Sequence, residues 1–414
     1  MKNPRLVAFE VLYDIHRNNA YSNITLDKAL RQVETKDKAF ISAIVYGTIE
    51  RKITLEYIVT QFLEGKTKPK VMLLLLMGTY QLYFMDKIPD SAAINETVEL
   101  AKNVGVSYYS KLINAVLHRI NDNRIDIDNI NDLSIKYSCP VHLIKMWQKA
   151  YGEKNAENIL RCINDKPPVF AIPNKCFVDE EELSYELLSC NIENEIYNDV
   201  VKITSSFDLH NCKPFDDGLF YIEDYSSYRC AKKLCPQPGE TVIDVCAAPG
   251  GKSFTITNCM NNQGKVIACD LHQHRVDLVT KAANRLQMNV IESVVNDATV
   301  YNPNMPTADR ILCDVPCSGF GIIRRKPEIR YKNLDSIKEL PAIQLLILTT
   351  SARYLKQGGT LVYSTCTLNK RENESVVSAF LEAHNDFQLI EQKTIFPSID
   401  GGDGFFWAVI KRND

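Results

Sequence analysis

Apolar residues recur three or four positions apart from about residue 4 to residue 120. One such stripe contains Leu6, Phe9, Leu12 and Tyr13, and residues at this spacing share one face of an α-helix. The region shows no convincing alternation with the period of two that marks a strand. Residues 1–125 are therefore predicted to form an all-α domain, and the polar segment NDNRIDIDNINDL at 121–133 indicates its boundary.

Residues 126–235 have a mixed pattern. The stretch YSCPVHLIKMWQKAYGEKNAENILRCIND predicts two short helices around Pro140 and Gly152. The segments KPPVFAIPN and EIYNDVVKITS predict strands. We expect linker helices and a small α/β element here.

From residue 236 to residue 414, segments typical of strands and helices alternate. The strand-like segments are TVIDVCAA, KVIACDL, NVIESVVND, ADRILCDVP and GGTLVYSTCT, and they are separated by helical stretches such as 272–287 and 337–355. This alternation predicts an α/β domain whose mostly parallel sheet is covered on both faces. Ligands of such sheets bind at the carboxyl ends of the strands, so the residues that follow each strand are the candidates for function.

Composition and charge narrow the class of protein. The 414-residue chain has a formal net charge of −3, whereas a nucleic-acid-binding surface is usually basic. The longest apolar run, at 71–85, is shorter than the roughly 18 residues that suggest a membrane span. The thirteen cysteines are odd in number and form no Cys-x-x-Cys pair, which argues against a disulfide framework and a zinc site. These features predict a cytoplasmic protein with no membrane partner and no metal.

The sequence CAAPGGKS at 246–253 resembles the end of a nucleoside triphosphate-binding loop. That loop requires a glycine at the position that Cys246 occupies, and Pro249 has no N–H group to donate to a phosphate. The Gly-x-Gly-x-x-Gly of dinucleotide-binding folds is also absent, which counts against an NAD-dependent enzyme. The remaining interpretation is a tight strand-to-helix turn. Gly250 and Gly251 allow a ligand to approach, and the helix N-terminus favours a negative group such as a carboxylate.

Polar or nucleophilic residues follow the other predicted strands. Asp270 ends the second strand, Asp297 ends the third, Asp314 and Cys317 follow the fourth, and Cys366 follows the fifth. Each alone is compatible with a helix cap, a turn or a buried thiol. Together at one sheet edge they favour an adenosine ligand at the first three strands and covalent chemistry by thiols beside it.

Three of these segments, DVCAAPGGKS, DVPCSGFGIIRRKPEIRY and YSTCTLNKRENE, resemble motifs of the RNA cytosine-C5 methyltransferases that use S-adenosylmethionine. The N-terminal segments AFISAIVYGTIERKITLEYIV, AAINETVELAK and KLINAVLHRI are similar to the NusB-like RNA-binding domain of the bacterial RsmB/Sun (Fmu) family, which acts on 16S ribosomal RNA. The segment DGFFWAVIKR also matches, so the resemblance covers nearly the whole chain.

The resemblance implies a fold and an activity. It implies an all-α NusB-like RNA-binding domain over 1–125 and an α/β Rossmann-like class I methyltransferase domain with a mostly parallel sheet over 236–414. The activity would be transfer of a methyl group from S-adenosylmethionine to C5 of a specific cytosine in 16S ribosomal RNA of the small subunit. The protein would act as a monomer.

The resemblance also implies roles for individual residues. Asp270 would bind the ribose of S-adenosylmethionine, and Asp297 would contact its adenine. Cys366 would attack the base, Cys317 would assist product release, and Asp314 would lie beside the methyl donor and the target base. The methionine end of the cofactor would be held by Cys246, Ala247, Ala248, Pro249, Gly250, Gly251 and Lys252.

The basic run GIIRRKPEIRYK at 321–332 directly follows the Pro-Cys motif. A solvated loop is one interpretation of such a run, but its position favours contact with RNA phosphates near a flipped base. The predicted contacts are Arg324, Arg325, Lys326 and Arg330.

Two positions depart from the family pattern: Glu223 stands where relatives usually have Gln, and Ile172 where many have Arg. Both bear on the outer RNA contacts. Two other functions stay open at this point: an RNA-binding or antitermination-type module without catalysis, and an NAD-dependent enzyme on the same sheet topology.

Overall fold

The structure is a computed structural model that describes residues 3–18, 22–205, 207–398 and 401–414. The chain forms two compact units. The first comprises Met1–Asn164 together with Arg325–Lys332, and the second comprises Asp165–Arg324 together with Asn333–Asp414.

The first unit is helical, as the apolar periodicity predicts. Within its described residues the α-helices are α1 (Pro4–Asn18), α2 (Ser22–Leu30), α3 (Thr35–Glu50), α4 (Lys52–Phe62), α5 (Pro69–Phe84), α6 (Asp90–Asn103), α7 (Ser110–Asp122), α8 (Leu133–Tyr137) and α9 (Val141–Cys162). Short 3₁₀ turns lie at Ser107–Tyr109, Ile127–Asn129 and Pro327–Tyr331.

Helix α5 is central in the first unit because it is apolar around most of its circumference. Its residues Val71, Leu74 and Leu75 have no exposed surface, and it contacts α3, α4, α6 and α7. Helix α9 is interrupted at Gly152, whose φ of 80° is readily adopted only by glycine. The prediction of two helices around Pro140 and Gly152 is therefore confirmed.

The second unit begins with a small antiparallel sheet. Within the described residues its strands are β1 (Val169–Pro173), β2 (Asn194–Tyr197), β3 (Val200–Ile203) and β4 (Phe220–Ile222), in the order β2-β3-β1-β4. Helices α10 (Glu180–Ser189), α11 (Lys213–Asp216) and α12 (Tyr225–Lys232) accompany this sheet. Asp179 begins α10 with a capping box, in which its side chain and that of Glu182 each accept a backbone N–H.

A larger sheet completes the second unit. In the described residues its strands are β5 (Thr241–Asp244), β6 (Lys265–Asp270), β7 (Ile291–Val295), β8 (Ala308–Asp314), β9 (Leu355–Thr365), β10 (Phe387–Ile395) and β11 (Phe405–Arg412). They lie in the order β10-β11-β9-β8-β5-β6-β7. The first five strands of this set pair in parallel, and β11 and β10 add to one side antiparallel. The connecting helices are α13 (Gly251–Cys259), α14 (Gln273–Arg285), α15 (Leu340–Ala352) and α16 (Glu374–Ala383).

The register of the parallel strands explains their apolar sequences. Ile243 of β5 pairs with Ile267 of β6 and with Ile311 of β8, and all three side chains are at most 2% exposed. Strands that are buried on both faces require such apolar runs. All five predicted strands and both predicted helical stretches are confirmed.

The compact units group the chain differently from the three predicted segments 1–125, 126–235 and 236–414. The linker helices α8 and α9 belong to the helical unit, and the small sheet belongs to the unit with the large sheet. The segment Arg325–Lys332 belongs to the helical unit although it lies within the predicted catalytic segment.

Candidate active site

Two thiols meet at the carboxyl edge of the large sheet. Cys317 follows β8 and Cys366 follows β9, and these strands are parallel neighbours. Their Sγ atoms are 3.3 Å apart, and both cysteines are free thiols that are partly exposed. The hydrogen bond with Cys366, together with burial, raises the pKa of Cys317 well above its usual value.

Asp314, the last residue of β8, is held from two directions. Its Oδ1 accepts a hydrogen bond from the Ser364 hydroxyl at 2.8 Å, and its Oδ2 lies 2.8 Å from Nζ of Lys252. Burial by itself lowers the pKa of Lys252, but the facing carboxylates of Asp314 and Glu223 raise it well above its usual value. Lys252 is therefore a fixed cation that links the glycine-rich turn to the Asp314 carboxylate.

The glycine-rich turn joins β5 to α13. Gly250 has a φ of 115°, which few residues other than glycine adopt, and Gly251 is the first residue of α13. The N–H groups of Gly251, Lys252 and Ser253 have no carbonyl of their own helix to accept them. They form a site suited to a carboxylate, as the sequence predicts for this turn.

The predicted adenosine contacts lie after the neighbouring strands. Asp270, at the end of β6, is 7% exposed; its Oδ2 pairs with Nε of Arg275 at 3.0 Å, and its Oδ1 accepts from the His272 N–H at 3.3 Å. A carboxylate accepts about four hydrogen bonds, so Asp270 keeps capacity for a ligand hydroxyl. Asp297 accepts the Thr299 N–H and hydroxyl through the same oxygen, Oδ1.

Sequence reasoning missed Asp244, the last residue of β5. It has no exposed surface, and its Oδ2 accepts a hydrogen bond from the Ser253 hydroxyl at 2.7 Å. Burial raises the pKa of Asp244 to about 7. A charged residue inside the apolar run VIDV was the available signal, because such a position is buried in a parallel sheet.

Both departures from the family pattern are buried. Ile172 lies in β1 and is 1% exposed. Glu223 is 8% exposed and accepts hydrogen bonds at 2.7 Å from the hydroxyls of Ser227 and Thr255. A Cβ atom at Gly251 would lie 3.1 Å from the Glu223 carboxyl carbon, so the glycine allows this carboxylate to pack against the turn.

Two of the four predicted phosphate contacts have buried guanidinium groups in this structure. Arg324 is 4% exposed; it pairs with the buried Asp403 carboxylate and donates to the carbonyls of Ser398 and Gly401. Arg330 is fully buried. Neither side chain is available to a phosphate in this conformation.

Arg330 instead joins the ends of three helices in the first unit. It donates to the carbonyls of Glu50, Ser138 and Ile163, which lie at the C-terminal ends of α3, α8 and α9, and to Oδ1 of Asn164. Helix C-termini have unsatisfied carbonyls and a partial negative charge, so one buried cation satisfies all three. Of the predicted run, Lys326 is exposed and Arg325 is partly exposed.

The order of the large sheet, with a final antiparallel strand between β9 and β10, is that of a Rossmann-like methyltransferase. A model of the family described as 16S rRNA methyltransferase RsmB/F matches residues 231–411, and a model of the NusB family matches residues 2–122. The probable ribosomal RNA small subunit methyltransferase B of Bacillus subtilis is 38% identical over 99% of this chain and 98% of its own length. Its Synechocystis counterpart is 32% identical over the whole of both chains. The chain belongs to the RsmB/F family of 16S rRNA methyltransferases.

Solved structures support the fold. The crystal structure of PH0851 covers 100% of this chain with a TM-score of 0.82 at 23% identity. A methyltransferase homologue from Pyrococcus horikoshii covers 68% of the chain with a TM-score of 0.60 at 24% identity. The family match extends through the sheet that carries the two thiols, so it decides against the NAD-dependent alternative.

The described residues include neither a membrane-spanning helix nor a metal-binding cluster. Among the described residues, no helix combines the length and apolar character that a bilayer span needs. The same part of the chain contains no cluster of three or more His, Cys, Asp or Glu side chains suited to a metal ion. His272 and His274 stack on each other, with ring centroids 5.6 Å apart.

Proposed function

We propose that this protein methylates C5 of a specific cytosine in 16S ribosomal RNA, with S-adenosylmethionine as methyl donor and Cys366 as covalent nucleophile. The observation that carries the proposal is the 3.3 Å approach of two thiols beside a lysine-paired carboxylate at one sheet edge. A methyl transfer that needs only a cofactor and an already nucleophilic atom would not require a pair of thiols. C5 of cytosine is a poor nucleophile, so it needs covalent activation.

The residues at the carboxyl edge fit S-adenosylmethionine. The free N–H groups at the start of α13 and the residues 246–252 suit its methionine carboxylate. The remaining acceptor capacity of Asp270 suits ribose hydroxyls, and Asp297 suits the adenine. When bound, this cofactor supplies an electrophilic methyl group to C5 of the base.

Cys366 begins the proposed reaction as a thiolate that adds to C6 of cytosine. A bond forms between Sγ and C6, and the electron pair of the C5–C6 double bond moves toward C5 and the N3–C4 side of the ring. In the adduct, N3 takes up a proton from solvent water, and its N–H would donate to the Asp314 carboxylate and so stabilise the adduct. Lys252 holds that carboxyl group in place through its 2.8 Å ion pair.

The product forms when the C5 proton and the N3 proton pass to solvent water and the Sγ–C6 bond breaks. The electron pair of the C5–H bond restores the C5–C6 double bond, and the Cys366 thiolate departs with the pair of the Sγ–C6 bond. Cys317 assists this departure, because its thiol lies within hydrogen-bond distance of the leaving sulfur. Burial and the contact with Cys366 keep Cys317 protonated, so it has a proton to donate.

RNA must present the cytosine outside its stack to reach Cys366. The exposed Lys326 and the partly exposed Arg325 are the phosphate contacts that we propose from the basic run. The NusB-like match of residues 2–122 supports a role of the helical unit in selecting the RNA.

The test is to map 5-methylcytosine in 16S ribosomal RNA from cells with and without this protein. One cytosine should lose its methyl group in the absence of the protein and regain it when the purified protein and S-adenosylmethionine are added. If the added methyl group were found on another atom or another base, the proposal of C5 chemistry would fail. An RNA-binding module without catalysis would bind the RNA but would not bind S-adenosylmethionine in a calorimetric titration.

A further inference from the structure

Two adjacent buried side chains, Glu372 and Asn373, lie in the loop between β9 and α16, and the proposed chemistry does not use them. Neither has any exposed surface. A buried carboxylate is costly unless it is fully hydrogen-bonded, so its partners indicate why it is there.

Glu372 fixes the peptide groups on both sides of Cys317. Its Oε2 accepts the backbone N–H of Ser318 at 2.8 Å, and its Oε1 accepts the Ser318 hydroxyl at 2.5 Å. Nε2 of Gln344 donates to Oε2 at 3.0 Å and also to the carbonyl of Pro316 at 2.9 Å. Cys317 therefore lies between two residues that are both tied to the Glu372 carboxylate.

Asn373 fixes the residues on both sides of Cys366 in the same way. Its Oδ1 accepts the Thr365 hydroxyl at 2.6 Å, and its Nδ2 donates to the carbonyl of Thr367 at 2.9 Å. Asn373 thus uses one acceptor and one donor, and each contacts a direct neighbour of the second thiol.

The hydrogen bonds around Cys317 and those around Cys366 are also joined to each other. The hydroxyls of Ser318 and Thr367 are 2.7 Å apart, and Nδ2 of Asn369 donates to Oε1 of Glu372 at 2.8 Å. The Tyr363 hydroxyl, inside β9, donates to the backbone carbonyl of Glu372 at 2.5 Å. These hydrogen bonds hold Glu372 and Asn373 against the sheet that carries the thiols.

We propose that the dipeptide Glu372-Asn373 positions the two thiols, with Glu372 orienting Cys317 and Asn373 orienting Cys366. Four donors converge on one carboxylate, and hydrogen bonds to a charged acceptor are stronger and more directional than neutral ones. Glu372 and Asn373 are consecutive residues. A displacement of one thiol is therefore transmitted, through the peptide bond that joins them, to the residue that orients the other thiol. The inference rests on the proposed function, because it takes these thiols as the reacting groups.

Glu372 also acts on the ionisation of Cys317. The contact with Cys366 and burial are the largest causes that raise the pKa of Cys317, and the negative charges of Glu372 and Asp314 add to them. Glu372 therefore opposes formation of a Cys317 thiolate and helps to keep Cys317 as the proton donor.

The first test replaces Glu372 by Gln, which keeps the size and removes the charge. We expect kcat to fall about 10- to 100-fold with KM for RNA unchanged, because a small misplacement of reacting groups has this effect. We also expect Cys317 to react with iodoacetamide about tenfold faster at pH 8, because loss of a facing negative charge lowers the pKa of its thiol. Mass spectrometry of the Cys317 peptide measures the alkylation.

The matched control is Glu374→Gln, two residues further along at the first position of α16. Its carboxylate accepts a hydrogen bond from Thr394 of β10 rather than from either thiol loop. This variant should keep the wild-type kcat and the wild-type alkylation profile. Equal behaviour of the Glu372 and Glu374 variants would overturn the proposal.

Two further variants address folding and the second thiol. If Glu372→Gln shows no cooperative melting transition, Ser318→Ala removes one hydroxyl, which contacts both Glu372 and Thr367, and should lower kcat although the charge of Glu372 stays; a wild-type kcat overturns the proposal. Asn373→Asp removes the donor to Thr367 and should slow Cys366 adduct formation more than Cys317 alkylation. A wild-type adduct rate in this variant also overturns it.

The alkylation assay needs no RNA, so it separates this inference from the proposed function. If the wild-type protein makes no 5-methylcytosine but Glu372→Gln still accelerates Cys317 alkylation, the proposed function fails and the positioning role stands. If 5-methylcytosine forms but none of these variants differs from wild type, the positioning role alone fails.

Discussion

The Sγ atoms of Cys317 and Cys366 are 3.3 Å apart, although 49 residues separate them along the chain and they follow different strands. At this distance one thiol donates a hydrogen bond to the other sulfur. The contact with Cys366 and burial raise the pKa of the Cys317 thiol well above its usual value, so Cys317 can serve as the donor of the pair. This difference in role underlies the first prediction.

Cys366→Ala and Cys317→Ala should fail in different ways. Cys366→Ala should give neither methylated RNA nor a covalent complex, because the Sγ–C6 bond cannot form. Cys317→Ala should attack and transfer methyl but stall before release. A denaturing gel with radioactive S-adenosylmethionine would then show a slow, labelled protein–RNA band for this variant, with wild-type protein as control. If the stalled band appeared with Cys366→Ala instead, the roles of the two thiols would be reversed.

Asp270→Ala should weaken binding of S-adenosylmethionine about 10- to 100-fold. The reason is that hydrogen bonds to a charged group contribute roughly 1.5–3 kcal/mol each. Isothermal titration calorimetry measures the change. The matched control is Asp277→Ala, an exposed aspartate on α14 whose carboxylate accepts from Gln273 at 2.8 Å. Equal affinities for both variants would mean that the ribose is bound at another strand.

Asp244 should make stability fall as the pH rises from about 4 to about 7. Its folded pKa of about 7 exceeds the unfolded value of about 3.9, so the folded protein binds the proton more tightly. The stability that the protonated group provides is complete below pH 3.9 and is lost as the pH passes 7. Three pKa units correspond to about 4 kcal/mol.

Asp244→Asn should remove this dependence, since the amide does not titrate. Urea denaturation of both proteins from pH 4 to pH 8 gives the comparison, with Asp277→Asn as the exposed control. The difference in unfolding free energy between Asp244→Asn and wild type should grow in favour of the variant with rising pH. Parallel curves would contradict a buried, protonated Asp244.

Arg330→Ala and Lys326→Ala should separate stability from RNA binding. Arg330→Ala leaves three helix-terminal carbonyls buried without their donor, which should lower the unfolding free energy by at least about 3 kcal/mol. Lys326 is exposed, so Lys326→Ala should leave the melting temperature unchanged but reduce RNA affinity and the slope of its salt dependence.

Thermal melting and RNA binding at several salt concentrations measure both effects. Unchanged salt dependence in Lys326→Ala would remove this lysine from the phosphate contacts. Unchanged melting of Arg330→Ala would contradict the role assigned to its buried guanidinium.

The sequence predicted the parallel part of the large sheet because its strands are short, apolar and β-branched and are separated by helical periodicity. It did not predict β10 and β11 as the antiparallel side of the sheet. Residues of β10 are mostly exposed and alternate poorly, and β11 is apolar nearly throughout, so neither shows a period of two. β11 pairs with β9 and β10 pairs with β11, so their strand character comes from these pairings rather than from local pattern.

The candidate site was predictable to the extent that strand ends carry its residues. Charged residues that are buried by partners far away in the sequence could not be predicted. Arg324 and Arg330 lie two and four residues from the exposed Lys326, and all three look alike in the sequence. Only Asp403, 79 residues away, and carbonyls more than 160 residues away distinguish them. The role of Glu372 could not be predicted for the same reason, because its hydrogen-bond donors are Ser318, Gln344 and Asn369.

Residues 325–332 complete the helical unit, and the ribosome adds them about 170 residues after Asn164. At synthesis rates of roughly 5–20 residues per second, Arg330 arrives about 10–30 s after the rest of that unit. During this interval the C-terminal carbonyls of α3, α8 and α9 lack their common donor. The part of the chain that is made first is therefore completed only when most of the second unit has left the ribosome.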